Sequence, residues 1–106
     1  MASLKITVLR TALHNDLAKQ YCGREIERCP YFVEGQEFVV DGVNPPEGFC
    51  PWAWQDLFYV VHTLTNGGTF RPWYRDDGVV VAACTDGLRP VTFRAERIDP
   101  PDTQPE

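Results

Sequence analysis

The chain has 106 residues, a formal net charge of −5 at pH 7, and 43% hydrophobic and 12% aromatic residues. This length and composition predict one globular domain with a usable core. The acidic balance argues against a nucleic-acid-binding protein, because such proteins present a basic face to phosphates. No apolar run approaches the roughly 18 residues of a membrane helix, and no signal-peptide pattern is found. We therefore expect a cytoplasmic protein with reduced cysteines and no membrane partner.

The first part of the chain predicts a strand, a short helix and a second strand. Alternating apolar residues indicate a strand over 4–10. Asn15 or Asp16 is expected to cap a short helix that runs to Tyr21. A second strand is expected over 36–41, where Asp-Gly gives a turn signal directly after the alternating residues.

The longest helix is predicted over about 51–65. Pro51 suits its first position, where the missing N–H is no loss, and this places Cys50 at or just before the cap. Apolar residues recur behind it at three- and four-residue steps, which predicts the buried stripe. That stripe comprises Trp54, Leu57, Phe58, Val61 and Leu64. Gly67-Gly68 is expected to end the helix, since glycine takes the left-handed exit conformation at low cost.

Two further strands follow. The continuous apolar run over 79–84 indicates a strand covered on both faces. The alternation over 91–98 indicates its partner, and the turn over 85–90 predicts that the two form a hairpin. The acidic, proline-rich segment 99–106 is expected to be a disordered tail.

The elements together predict an α+β domain over 1–98. We expect a small, mainly antiparallel sheet of about four strands, with the central helix packed on one face and a short second helix.

Several motifs occur in an order that resembles a known family. They are Tyr-Cys at 21–22, Cys-Pro at 29–30, Gly-Gln-Glu-Phe at 35–38, Gly-Phe-Cys-Pro-Trp-Ala-Trp at 48–54 and Cys-Thr-Asp-Gly-Leu-Arg-Pro-Val at 84–91. The chain is similar in these motifs to an uncharacterised family of small bacterial and archaeal proteins. The similarity extends from the first strand to Ile98. Members of that family often carry a cysteine pair in the last motif, and here Ala83 replaces its first cysteine. The resemblance brings no established activity with it, so it bears on the fold more than on the function.

The cysteines are the first candidate site. A thiolate at a helix start is stabilised by the helix dipole, so Cys50 is a candidate for a reactive or catalytic thiol. Cys22, Cys29, Cys50 and Cys84 lack the close pairs of a zinc knuckle, but ligands from separate elements can still converge on zinc or iron. The alternative is that these cysteines are buried as small hydrophobic residues.

The turn over 85–90 is the second candidate site. Asp86 is a residue type that commonly stabilises turns by bonding to the nearby backbone. It is also the second catalytic candidate. Arg89 is expected to pair with Asp86 internally, or to clamp a carboxylate or phosphate in bidentate fashion. A pocket with Arg89 at its rim would suit a small anionic ligand, with its walls formed by Trp52, Trp54, Trp73 and Tyr74.

Two hypotheses of function follow from these patterns, and whether the protein is an enzyme stays open. In the first, a pocket at the start of the central helix binds a small anionic molecule or a metal through Cys50, Cys84, Asp86 and Arg89. In the second, the protein is a homodimeric accessory or protein-interaction domain. Its cysteines are then packing residues, and one of its tryptophans is an exposed interface anchor.

Overall fold

The computed structural model describes residues 2–98, so the tail predicted over 99–106 lies outside the described residues. The described part forms β1 (Ser3–Thr11), α1 (Asn15–Tyr21), β2 (Glu37–Asp41), α2 (Pro51–Thr65), β3 (Val79–Ala83) and β4 (Val91–Arg97). The predicted α+β class and its inventory of elements are confirmed. Over this range, neither helix is both long and apolar enough to cross a membrane.

The four strands form one antiparallel sheet in the order β2-β1-β4-β3. The predicted β3–β4 hairpin is confirmed. β1 lies in the middle of the sheet, where Ile6 is opposite Phe38 of β2 on one side and Ala95 of β4 on the other. The register between β1 and β4 shifts between Val8 and Arg10, as in a β-bulge.

One face of the sheet is covered by α2. Alternation along the strands turns one set of side chains towards this helix, and these are buried together with the inner face of α2. The buried residues of α2 are Ala53, Leu57, Val60, Val61, Leu64 and Thr65. Phe58 was predicted to belong to this stripe but is 38% exposed. The helix is turned so that Val60 faces the sheet, and Phe58 lies at its flank against Trp54 and His62.

The prediction that β3 is covered on both faces is wrong. β3 is an edge strand, and Val80 is buried while Val81 is 41% exposed. The reason is that α2 covers only one face of the sheet, and a run of small apolar residues does not reveal how many faces are covered. The Tyr74 hydroxyl donates a hydrogen bond to the Val81 carbonyl oxygen at 2.7 Å, which pairs part of the open strand edge.

The cap of α1 also differs from the prediction. The N-cap is His14, and no side chain makes a capping hydrogen bond there, so Asn15 and Asp16 lie in the first turn. The backbone is held instead by the His14 N–H, which donates to the Leu88 carbonyl oxygen at 2.8 Å. This bond places the start of α1 beside the turn between β3 and β4.

The end of α2 is fixed by a glycine and an arginine. Gly67 has a φ of +84°, the left-handed conformation expected at the exit of the helix. Arg97 Nη1 donates to the carbonyl oxygens of Leu64 at 2.9 Å and Gly68 at 3.0 Å. A cation at this position satisfies unpaired carbonyls and complements the helix dipole, so Arg97 connects α2 to the last strand.

Candidate functional site

The segment from Cys84 to Pro90, called the 84–90 turn below, lies between the two helices. Thr85, near its start, contacts the first turns of α2. Arg89, near its end, lines a cleft beside α1. The same turn therefore takes part in two different sites, one on each side.

On the α2 side, Thr85 is bound by two side chains of the helix. Asp56 Oδ2 accepts hydrogen bonds from the Thr85 backbone N–H at 2.8 Å and from its hydroxyl at 3.0 Å. Trp52 Nε1 donates to the Thr85 hydroxyl oxygen at 3.1 Å. Trp52 and Asp56 are four residues apart and so share one face of the helix. These contacts satisfy the Thr85 hydroxyl as both donor and acceptor.

Asp86 organises the turn itself. Its Oδ1 accepts hydrogen bonds from the backbone N–H groups of Leu88 at 2.9 Å and Arg89 at 3.1 Å. Its Oδ2 lies 3.4 Å from Arg89 Nε, which confirms the internal ion pair. Burial acts to raise the pKa of Asp86, but the two backbone N–H groups and the Arg89 guanidinium outweigh it and lower the pKa below its ordinary value.

Pairing with Asp86 leaves the two terminal nitrogens of Arg89 available to bind a ligand. Only Nε of the guanidinium faces Asp86, and within residues 2–98 no hydrogen bond or ion pair engages Nη1 or Nη2. These two groups are the ones that bind a carboxylate or phosphate side by side. Arg89 is therefore held at one end and has donors left at the other.

The cleft that Arg89 lines has a volume of about 840 Å³. Its other walls are α1 and the segment that follows it, residues 22–30. Four cations and two carboxylates line it, namely Lys19, Arg24, Arg28 and Arg89 with Glu25 and Glu27. Cys22 also lies in the lining. The cleft is thus locally rich in positive charge, although the chain as a whole is acidic.

Three of these cations were missed from the sequence. Lys19, Arg24 and Arg28 are exposed, and none has an ion-pair partner among the described residues. The alternation of charges from Arg24 to Arg28 is typical of a solvated loop, so the pattern gave no reason to single it out. Arg89 comes from a distant part of the chain, whereas the other residues that line the cleft all lie within residues 15–30.

The four aromatic residues predicted as pocket walls lie elsewhere. Trp52 is 60% exposed beside Thr85, and Trp54 packs against Phe49 with ring centroids 5.9 Å apart. Trp73 is 86% exposed. Tyr74 lines a separate depression of about 250 Å³ on the β3 side. None of the four lines the cleft that contains Arg89.

The four cysteines are free thiols. Cys50 is the N-cap of α2, as predicted, and packs against the hydrophobic core together with Cys29 and Cys84. Cys84 Sγ also accepts a hydrogen bond from the Val91 N–H at 3.4 Å. Over residues 2–98, no group of three or more His, Cys, Asp or Glu side chains is arranged to hold a metal ion.

Fold and site together define a small α+β protein with a cation-lined cleft. Comparison of the chain with protein-family models, curated proteins and solved structures found no match. The resemblance to a family of small bacterial and archaeal proteins therefore stays a prediction.

Proposed function

We propose that this protein binds a small anionic molecule in the cleft beside α1, with Arg89 as the main binding residue. The observation that carries the proposal is that the Arg89 guanidinium is paired with Asp86 through one nitrogen only. Asp86 holds Nε, while Nη1 and Nη2 have no partner among the described residues. A guanidinium that is already ordered loses less conformational entropy when a carboxylate or phosphate binds.

The size and charge of the cleft support the same proposal. Its volume of about 840 Å³ falls within the range of roughly 300–1,000 Å³ typical of ligand sites. Exposed cations on an acidic chain reduce the magnitude of its net negative charge, so a need for net charge does not explain them. Their grouping around one cleft favours attraction of an anion.

In this proposal Asp86 positions Arg89. A general acid at neutral pH requires a raised pKa, whereas the pKa of Asp86 is lowered. Asp86 thus stays ionised and accepts hydrogen bonds. A metal or a reactive thiol at Cys50 and Cys84 is a separate proposal, which elemental analysis and the pH dependence of alkylation would test in the purified protein.

The test is anion binding by isothermal titration calorimetry, with inorganic phosphate and acetate as probes. Arg89→Leu should weaken phosphate binding about tenfold or more, since hydrogen bonds to charged groups contribute roughly 1.5–3 kcal/mol. The matched control is Arg75→Leu, because Arg75 is also an arginine paired with a nearby aspartate, Asp76, but lies outside the cleft. Equal effects of the two variants, or no binding by the wild type, would overturn the proposal.

The second candidate function is a homodimeric interaction domain, favoured by the outward face of α2. Trp52 is 60% exposed and Tyr59 62% exposed. Asp56, the one acidic or basic residue of α2 apart from His62, is engaged by Thr85. A second copy would bring the same largely uncharged face to the contact, which avoids repulsion between two acidic chains.

Native mass spectrometry over a range of concentrations tests this second candidate. Tyr59→Glu should dissociate a dimer formed through α2. Trp73→Glu is the control, because Trp73 is an aromatic residue outside that helix and is even more exposed, at 86%. A wild-type protein that is monomeric at every concentration, or a dimer that persists in Tyr59→Glu, would contradict it.

A further inference from the structure

We infer that the cleft takes a ligand with at least two separate anionic groups, such as a small molecule with two phosphates or with a phosphate and a carboxylate. This inference rests on the proposed function, since it specifies what Arg89 and its neighbours would bind. It follows from the distribution of cations around the cleft, from its size, and from the carboxylates among its lining residues.

The cations come from two different parts of the chain. Arg89 belongs to the 84–90 turn, whereas Lys19 lies on α1 and Arg24 and Arg28 lie on the segment after it. Nothing in residues 2–98 forms an ion pair with Lys19, Arg24 or Arg28, even though Glu25 and Glu27 line the same cleft. The cleft therefore offers positive charge on more than one wall.

The size of the cleft indicates that one anionic group cannot use all of these cations. At about 840 Å³, the cleft has the volume of a site for a whole small molecule, which is far more than one carboxylate or phosphate group fills. A single carboxylate held by Arg89 fills a small part of that space. The cations of residues 19–28 would then remain hydrated and unpaired. A second anionic group on the same ligand would reach them and add charge-assisted hydrogen bonds.

The two carboxylates limit the class of ligand further. Glu25 and Glu27 offset part of the positive charge of the lining, so the cleft can balance a few anionic groups but not a long polyanion. They would accept hydrogen bonds from hydroxyl or amino groups of a compact ligand. The chemistry of the lining thus favours a small dianionic metabolite over a nucleic acid.

The test compares inorganic pyrophosphate with inorganic phosphate by calorimetry on the full chain at low ionic strength. Pyrophosphate should bind at least about tenfold more tightly, and its affinity should fall with added NaCl, because exposed charges are screened. The double variant Arg24→Gln/Arg28→Gln should remove most of this advantage, because it should weaken pyrophosphate binding much more than phosphate binding. Arg89→Leu should weaken both probes. Thermal unfolding checks that each variant is folded, and Arg75→Gln is the control outside the cleft.

The outcomes separate this inference from the proposed function. Equal affinity for the two probes, or a pyrophosphate advantage that persists in the double variant, would overturn the inference alone if Arg89→Leu still weakens binding. Absence of binding of either probe to the wild type would overturn the proposed function and this inference with it.

Discussion

The two sides of the 84–90 turn differ in whether their polar groups are satisfied within the chain. On the α2 side, Thr85 is bound by Asp56 and Trp52. On the α1 side, the terminal nitrogens of Arg89 and the cations of residues 19–28 have no partner within residues 2–98. Satisfied groups contribute to stability, whereas exposed unpaired charges contribute little to it and are free to bind. The comparison assigns stability to one side and binding to the other.

The two helices that flank the turn differ in how much of each is buried. α2 has 15 residues, six of them buried, and α1 has seven residues with only Ala18 buried. A helix shorter than roughly 12 residues is marginal by itself, so α1 depends on its neighbours. A wall that makes few buried contacts can adjust to a ligand at a lower energetic cost.

The largest expected effect on stability is that of truncating a buried leucine of α2, compared with an exposed leucine of α1. Leu57→Ala removes a side chain that is 1% exposed between α2 and the sheet, and should lower the free energy of unfolding by about 3 kcal/mol. Leu17→Ala makes the same chemical change on α1, where the side chain is partly exposed, and should cost less than about 1 kcal/mol. Urea unfolding of both variants measures the difference. Equal costs would mean that α1 contributes to the core as much as α2 does.

A smaller effect is expected at Asp56. Asp56→Ala leaves the Thr85 N–H and hydroxyl without their acceptor, and should lower the free energy of unfolding by about 1–2 kcal/mol. Asp56→Asn keeps one acceptor oxygen and should cost less. Phosphate binding in the cleft should not change in either variant, because Asp56 lies on the other side of the turn. A loss of binding with unchanged stability would reverse the assignment of the two sides.

Local patterns predicted the elements well. Pro51 at the first position, Cys50 at the cap and Gly67 at the exit all followed from the conformational limits of single residues. Burial was harder to predict, because it depends on which faces of the sheet are covered. That is why β3 was expected to be covered on both faces, and why Phe58 was expected in the core.

The site was predictable only in its local part. The Asp86–Arg89 pair joins residues three apart in a turn, and the sequence indicated it. The cleft joins residues 19–28 to Arg89, and that approach depends on the pairing of β1 with β4 and on the bond from the His14 N–H to Leu88. No spacing in the sequence predicts that residues 19–28 and Arg89 lie close together. Lys19, Arg24 and Arg28 were missed for this reason.

The smallest expected effect tests Asp86, the residue that organises the turn itself. The pKa of Asp86 is lowered from 3.8, so its charged form stabilises the folded state above that pH, and this contribution is lost as the pH falls through the folded-state pKa. Asp86→Asn should therefore cost about 1 kcal/mol at pH 7, and its difference from the wild type should shrink below pH 3.8.

Urea unfolding between pH 7 and pH 2.5 measures this difference, with Asp76→Asn as a control at an exposed pair. Phosphate affinity should also fall a few-fold in Asp86→Asn, because the amide no longer attracts the guanidinium and Arg89 becomes less ordered before binding. An Asp86→Asn variant as stable as the wild type at pH 7 would mean that the side-chain oxygen acts only as a neutral acceptor for the two backbone N–H groups, because asparagine keeps such an acceptor. Arg89 would then be oriented by the turn backbone, and its affinity for phosphate should survive the substitution.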